Sequence, residues 1–299
     1  MPTEPRPAMP PRWRARTALA TLALAGAGLL GGCATLDEKQ REWIFQPGAR
    51  TWAGGQAAAQ GMQDVWIDFH SAEAGQAARL HGLWLAQPQA DAPVLLYLHG
   101  ARFDVRGSAP RMRRLHELGF AVLAVDYRGF GQSTPALPSE TLAHEDAQAA
   151  WRWLAAQHPQ ARRYLFGHSL GGAIAVRLAA ETADVAGLMV EGSFTSIPDV
   201  VKNFEYGWLP LAPLITQCFD AAERIAAVKA PVLVVHGSAD RLIPPALGQA
   251  LFERATAPKR FVLVEGGSHH NTNSVGLAQY REAVAGLFGI GLRATSPGP

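Results

Sequence analysis

Ser169, Asp240 and His269 each stand where a short apolar run gives way to a glycine-bearing turn. They are the residue types of nucleophilic acyl transfer: a hydroxyl to attack, an imidazole to take its proton, and a carboxylate to orient the imidazole. Ser169 carries the clearest pattern. Tyr164-Leu165-Phe166 runs into Gly167-His168-Ser169-Leu170-Gly171-Gly172 and then into the apolar stretch Ala173 to Ala180. That is the strand–turn–helix context a Gly-x-Ser-x-Gly elbow requires, although the same residues in isolation also read as an ordinary turn between strand and helix. Such a turn lifts the hydroxyl above a sheet at a helix N-terminus, whose free N–H groups favour developing negative charge. Asp240 ends Val235-His236-Gly237-Ser238-Ala239 and reads as the acid. An Asp shortly before Pro244 also reads as a helix cap, and Glu191 is the alternative acid. His269 follows Glu265-Gly266-Gly267-Ser268 and reads as the base, with His270 the alternative. His99 also ends a strand but is expected to brace its loop. Asp126 is expected to organise its turn through Arg128 and local amides. No cofactor or metal is required, and the histidines lack the H-x-x-x-H and H-E-x-x-H spacings of zinc sites.

These residues need a scaffold, and the chain alternates in a way that provides one. Val65–Phe69 and Leu80–Leu85 alternate like paired antiparallel strands. Pro93–Leu98 is a continuous apolar run, as in a strand buried on both faces. Strand-like runs follow at Phe120–Tyr127, Tyr164–Phe166, Val185–Val190, Val232–His236 and Phe261–Val264. Helical patterns separate them at Ser108–Leu118, Ser139–Gln157, Leu170–Glu181, Pro245–Ala255 and Val275–Phe288. This rhythm predicts an α/β fold with a mostly parallel central sheet, right-handed crossovers and flanking helices. Residues 197–228 break it with aromatic and proline-rich sequence; they read as a helical insertion packed on the body and as a small helical lid over an apolar acyl pocket, two accounts that can hold together.

The sequence resembles the α/β-hydrolase superfamily over about residues 60–290. The resemblance is carried by His99-Gly100, by Asp126-Tyr127-Arg128-Gly129-Phe130-Gly131-Gln132-Ser133 and by Gly167-His168-Ser169-Leu170-Gly171-Gly172. Glu191-Gly192-Ser193-Phe194-Thr195-Ser196 and His236-Gly237-Ser238-Ala239-Asp240 add to it. These motifs are similar to those of the small-lid, membrane-associated serine hydrolases acting on acylated lipids and proteins. The resemblance implies an α/β-hydrolase fold, and the order Ser169, Asp240, His269 is that of its triad. It further implies an oxyanion hole from the backbone amides of Ala101 and Leu170, and cleavage of carboxylic esters or thioesters through an acyl-enzyme. A peptidase or amidase on the same triad, and a non-catalytic binding scaffold, are the alternatives. Two stretches depart from the branch: Ala101-Arg102-Phe103-Asp104 replaces an Asn-rich loop, and His269-His270-Asn271 replaces a single His before Asn-Asp.

The remaining features concern the chain ends. Four of the 27 basic residues and one of the 25 acidic residues fall within the first 32, so the rest of the 299-residue chain is near neutral. Such a body gives no reason to expect a nucleic-acid partner. Arg12, Arg14 and Arg16 precede the apolar run Thr17–Leu30, which is shorter than the ~20 residues of a spanning helix. Leu30-Gly31-Gly32-Cys33 then resembles the lipobox of bacterial lipoproteins. The expectation is a signal segment over residues 1–32, lipidation of Cys33 and a tether over 33–60. A hydrolase domain over 61–290 and a disordered tail over 291–299 follow. The chain would be lipid-anchored in the bacterial cell envelope, on the periplasmic side of the outer membrane, with a lipid-like acyl ester as substrate. An ordinary secretory signal or an uncleaved anchor are the alternatives.

Overall fold

Strands with apolar residues at both parities must be covered on both faces, and that requirement sets the architecture. The computed structural model describes Gly32 and residues 34–204 and 207–291. Eight strands form one sheet in the order β1-β2-β4-β3-β5-β6-β7-β8. They are β1 (Gln63–Ser71), β2 (Gln76–Leu85), β3 (Val94–Leu98), β4 (Ala121–Val125), β5 (Arg163–His168), β6 (Val185–Glu191), β7 (Val232–Gly237) and β8 (Lys259–Val264). β1 and β2 form an antiparallel pair, β2 meets β4 antiparallel, and every pairing from β4 to β8 is parallel. This is the α/β-hydrolase architecture expected from the sequence.

The two faces divide the residues of each strand. Leu96 and Leu98 of β3 join a core with Trp151 and Leu154 of α4 (Glu140–Gln157) and Ile174 and Leu178 of α5 (Leu170–Glu181). Leu95 and Tyr97 point the other way, toward Met112 and Leu115 of α3 (Ala109–Glu117) and Tyr280 and Phe288 of α10 (Leu277–Phe288). Each such side chain, fully buried, contributes about 1.5–3 kcal/mol. The helix expected from Val275 to Phe288 is two helices, α9 (Thr272–Val275) and α10, joined at Gly276. A Cβ at Gly276 would stand 2.5 Å from Val264 Cγ2, so this corner is set by contact with β8.

Two expectations about the periphery are corrected. Residues 34–60, which the sequence presents as a tether with a short helix around Glu38 to Phe45, do hold that helix but are docked on the body along their length. Residues 34–45 form a helix, α1, and Phe45 at its end is fully buried against Phe219, with ring centroids 5.7 Å apart. The strap that follows is sewn to the body by its carbonyls. Phe45 O accepts from the Arg102 amide at 3.0 Å, Gly48 O from Gly131 at 3.1 Å and Arg50 O from Asp104 at 2.9 Å. Of the two accounts of residues 197–228, the structure matches the insertion packed on the body. Its helix α6 (Ile197–Lys202) and the turn at Ala212–Leu214 pack on α1 and enclose with it an apolar groove of about 340 Å³ lined by Leu36, Trp43, Val201 and Phe204. Thr216 Oγ1 donates to Asp37 Oδ1 at 2.6 Å and Gln40 Nε2 to Leu214 O at 2.8 Å, fixing the pair together. None of the described residues of 197–228 lines the cavity beside Ser169. The apolar residues of the segment are satisfied by the N-terminal helix, a partner that periodicity does not reveal.

If Phe45 holds the strap, Phe45→Ala lowers unfolding stability by about 3 kcal/mol, the usual cost of emptying such a site. Denaturant titration measures it, and a loss under about 1 kcal/mol would mean that the strap is a tether after all.

Candidate active site

Ser169 caps the junction of β5 and α5 with φ +55° and ψ −123°, a conformation that non-glycine residues rarely adopt. The glycines around it are required by space. A Cβ on Gly171 would lie 2.1 Å from Leu98 O, and one on Gly167 2.3 Å from Gly171 O. The turn is therefore pressed against the end of β3 and admits no side chain. The Ser169 amide donates to Glu191 O and its carbonyl accepts from Gly172, both at 2.9 Å, so the strained residue is tied on both sides.

Ser169, Asp240 and His269 all follow the C-terminal ends of parallel strands, the edge where open α/β sheets place their ligands. Strands stand about 4.8 Å apart, so the ends of β5 and β7 are separated by roughly 10 Å. An imidazole with a hydrogen bond at each nitrogen spans that gap. The loop after β8 supplies it: His269 Nδ1 lies 2.7 Å from Asp240 Oδ2, and Nε2 lies 3.0 Å from Ser169 Oγ. With Nδ1–H donating to the carboxylate, Nε2 turns its lone pair toward the hydroxyl. Gly192, at φ +57° after β6, lies beneath the imidazole, and a Cβ there would come 3.4 Å from His269 Nδ1.

Asp240 caps no helix, since the next one, Pro245–Arg254, begins after Pro244 without a side-chain cap; the carboxylate holds its own turn and faces the imidazole. One carboxylate oxygen accepts the amides of Leu242 and Ile243, each at 2.9 Å, and the other accepts His269. Burial by itself would raise its pKa, but hydrogen bonds from His236, His269 and the Ile243 amide outweigh that and hold it well below the usual carboxylate range. A carboxyl depressed in the folded state contributes stability above its unfolded value near 3.8 and loses it as pH falls further.

The other candidates are placed differently. Glu191, the alternative acid, is buried and accepts from Arg111 Nε at 2.9 Å and from the Tyr280 hydroxyl, with no hydrogen bond to His269. Those two partners hold its carboxylate. His270, the alternative base, packs its ring on Trp52 at 5.0 Å, and burial lowers its pKa. Neither of its ring nitrogens bonds Ser169. His99 is packed on Tyr127 and Phe130, with ring centroids 4.6 and 5.1 Å away. Asp126 ties distant segments together instead of its own turn, accepting the Val105 amide at 2.6 Å and facing His81 Nδ1 at 3.2 Å. Arg128 is not among its partners: it pairs with Asp146 at 2.7 Å and Glu145 at 2.6 Å instead. Ala101 lines the cavity beside Ser169, and Leu170 opens α5, where first-turn amides lack intrahelical acceptors. Cys33 and the lipobox residues other than Gly32 lie outside the described residues.

The cavity beside Ser169 measures about 310 Å³, at the small end of ligand sites. Besides Ser169 and His269 it is lined by residues that sequence reading passed over, notably Trp52, Arg111, Arg114 and Asn273. Trp52 sits in an Ala/Gly-rich stretch that reads as linker, where a lone aromatic is the only signal. Arg111 and Arg114, three apart on α3, read as a solvated helix face. Among the described residues no cluster of His, Cys, Asp and Glu is arranged to hold a metal ion.

Asp240→Asn removes the depressed carboxyl, so its stability changes less than that of the wild type between pH 5 and pH 3. Urea unfolding at both values measures the difference, and equal losses would contradict the assignment.

Comparison with known proteins places the chain among hydrolases. The family model described as Hydrolase_4: Serine aminopeptidase, S33 matches residues 89–219 and 210–274. An uncharacterized protein of Mycobacterium tuberculosis is 35% identical over 263 residues, covering 87% of this chain and 90% of the relative. Lysophosphatidylserine lipase ABHD12 of Danio rerio is 30% identical over 190 residues, 57% of this chain and 49% of the relative, so the match spans about half of that longer protein. An esterase of Pyrococcus furiosus superimposes with a TM-score of 0.62 at 20% identity, covering 82% of this chain and 97% of that one, a likeness of fold.

Proposed function

The chain belongs to the hydrolase family described as serine aminopeptidase, S33, and from that premise we propose that it cleaves carboxylic ester or thioester bonds through an acyl-enzyme on Ser169. The hydrogen-bond chain from Ser169 Oγ through His269 to Asp240, at 3.0 and 2.7 Å, is the observation that carries this reading. In the proposed reaction Ser169 Oγ attacks the acyl carbon while His269 Nε2 takes its proton. Asp240 holds the imidazole in the required tautomer and stabilises the imidazolium. The amides of Ala101 and Leu170 receive the oxyanion, and His269 returns the proton to the departing alcohol or thiol. Water, activated by the same imidazole, then frees the acid and restores Ser169.

An aminopeptidase activity would need a carboxylate to hold the substrate's protonated terminus. Among the described residues no Asp or Glu lines the cavity beside Ser169, which favours the ester reading, as does the lipase name of the ABHD12 relative. The membrane association proposed from the sequence, through a lipid on Cys33, has support from exposed apolar residues. Trp43 of α1, the helix that begins at residue 34, and Trp208 and Leu214 of the 197–228 segment are 51%, 79% and 55% exposed. Among the described residues no helix is long and apolar enough to cross a membrane.

A fluorophosphonate probe should label the full chain in detergent and fail to label Ser169→Ala. On 4-nitrophenyl esters, Asp240→Asn should lower kcat by a factor on the order of 10⁴, the cost of a misassigned tautomer in such triads. A folded wild type that takes no label would leave the non-catalytic scaffold as the standing reading.

A further inference from the structure

The cavity beside Ser169 is lined by three arginines and, among the described residues, by no carboxylate. Arg102, Arg111 and Arg114 all line it. Arg111 is compensated, because its Nε donates to the buried Glu191 at 2.9 Å. The other two are not. Arg102 is exposed at the rim and makes no side-chain hydrogen bond or ion pair among the described residues, so only water meets its charge. Arg114 donates only to the Pro110 carbonyl and the Ser274 hydroxyl, each at 2.9 Å, and neither carries charge. Asn273 adds an independent observation. It is 2% exposed, lines the same cavity, and its Nδ2 has no hydrogen-bond partner. A buried amide donor left unpaired carries a desolvation cost that an acceptor on a ligand would relieve.

Arg102 is also held in place at the expense of strain. It adopts φ +82°, outside the range most side chains tolerate, and its amide is pinned to Phe45 O at 3.0 Å. It follows Ala101 directly, so its guanidinium belongs to the same loop as the proposed oxyanion donor. Strained residues that persist beside a reactive group are a recurrent mark of ligand contact. A guanidinium matches a carboxylate or phosphate through paired, charge-assisted hydrogen bonds.

We propose that the substrate carries an oxyanion, a phosphate or a carboxylate, and that Arg102, Arg114 and Asn273 form the subsite that receives it. The inference rests on the reading of Ser169 as the nucleophile. The anion sits either on the leaving alcohol, as in a glycerophosphate ester, or at the far end of a short acyl group, as in a half-ester of a dicarboxylic acid.

The test compares kcat/KM for matched pairs on the full chain in detergent. Mono-octanoyl glycerol against octanoyl glycerol 3-phosphate reads the leaving-group side, and 4-nitrophenyl pentanoate against mono-4-nitrophenyl glutarate reads the acyl side. In one pair the anionic member is preferred. That preference falls about tenfold in Arg102→Gln/Arg114→Gln, shrinks as salt rises, and recovers in part in Arg102→Lys/Arg114→Lys. Calorimetric titration of Ser169→Ala with glycerol 3-phosphate and with glutarate reads binding without turnover, and the double Gln substitution abolishes it. A preference that shifts less than twofold in both pairs, with no anion bound, overturns the subsite while ester turnover leaves the hydrolase reading intact. Binding that depends on the arginines in a protein that hydrolyses no ester has the opposite meaning: the subsite stands and the hydrolase reading falls.

Discussion

The backbone contact between Gly171 and the end of β3 is the constraint on which the site depends. With only 2.1 Å between the place of a Cβ at Gly171 and Leu98 O, α5 can begin where it does only because the position is glycine. That approach lets α5 start directly over the sheet, and it forces Ser169 into the strained φ that raises its hydroxyl. Strain of this kind costs of order 1–3 kcal/mol. It is offset by the large two-sided burial of β3, β5 and β6, which are central and covered on both faces. Ser169, Leu170 and the loop after His99 thus keep their relative positions because neither the strand nor the helix has room to move.

Around that fixed point the charges are sorted by side. Asp240 is the carboxylate that faces His269, and its depressed pKa keeps it ionised. Glu191, one strand nearer to Ser169, is drawn away by Arg111 and Tyr280. Were Glu191 free, a second buried negative charge would compete for His269. Burial holds His168 neutral, its pKa well below the ordinary value, and its Nε2 donates to His269 O at 2.9 Å. A neutral neighbour anchors the loop without repelling an imidazolium. The sheet end therefore presents one ionised acid to the imidazole and, among the described residues, no carboxylate to the cavity.

The central sheet was legible because buried strands must be apolar at both parities, a signal that survives without any partner in view. Ser169, Asp240 and His269 were legible for a related reason, since glycines at a strand end mark the close approaches on which a site is built. The strap and the 197–228 segment were not. Phe45 closes the short apolar run Trp43-Ile44-Phe45, which names no partner, and Phe219 lies far along the chain. The apolar residues of 197–228 satisfy a helix as readily as a substrate, so composition alone cannot say which they cover. Arg111 and Arg114 were hidden by their element: on a helix, charge reads as solvent-facing until the neighbouring loops are placed. His269 and His270 were separable only by which ring reaches β7.

The strap has a consequence for the order in which the molecule is completed. Phe45, Gly48 and Arg50 emerge early in synthesis, yet their partners Arg102, Asp104, Gly131 and Phe219 follow much later. Closing such long loops is entropically costly and waits on the body that receives them. The segment made early therefore docks late, and the wall that Trp52 gives the cavity is set only once the body has formed. A nascent chain can own a finished sheet before it owns a finished rim.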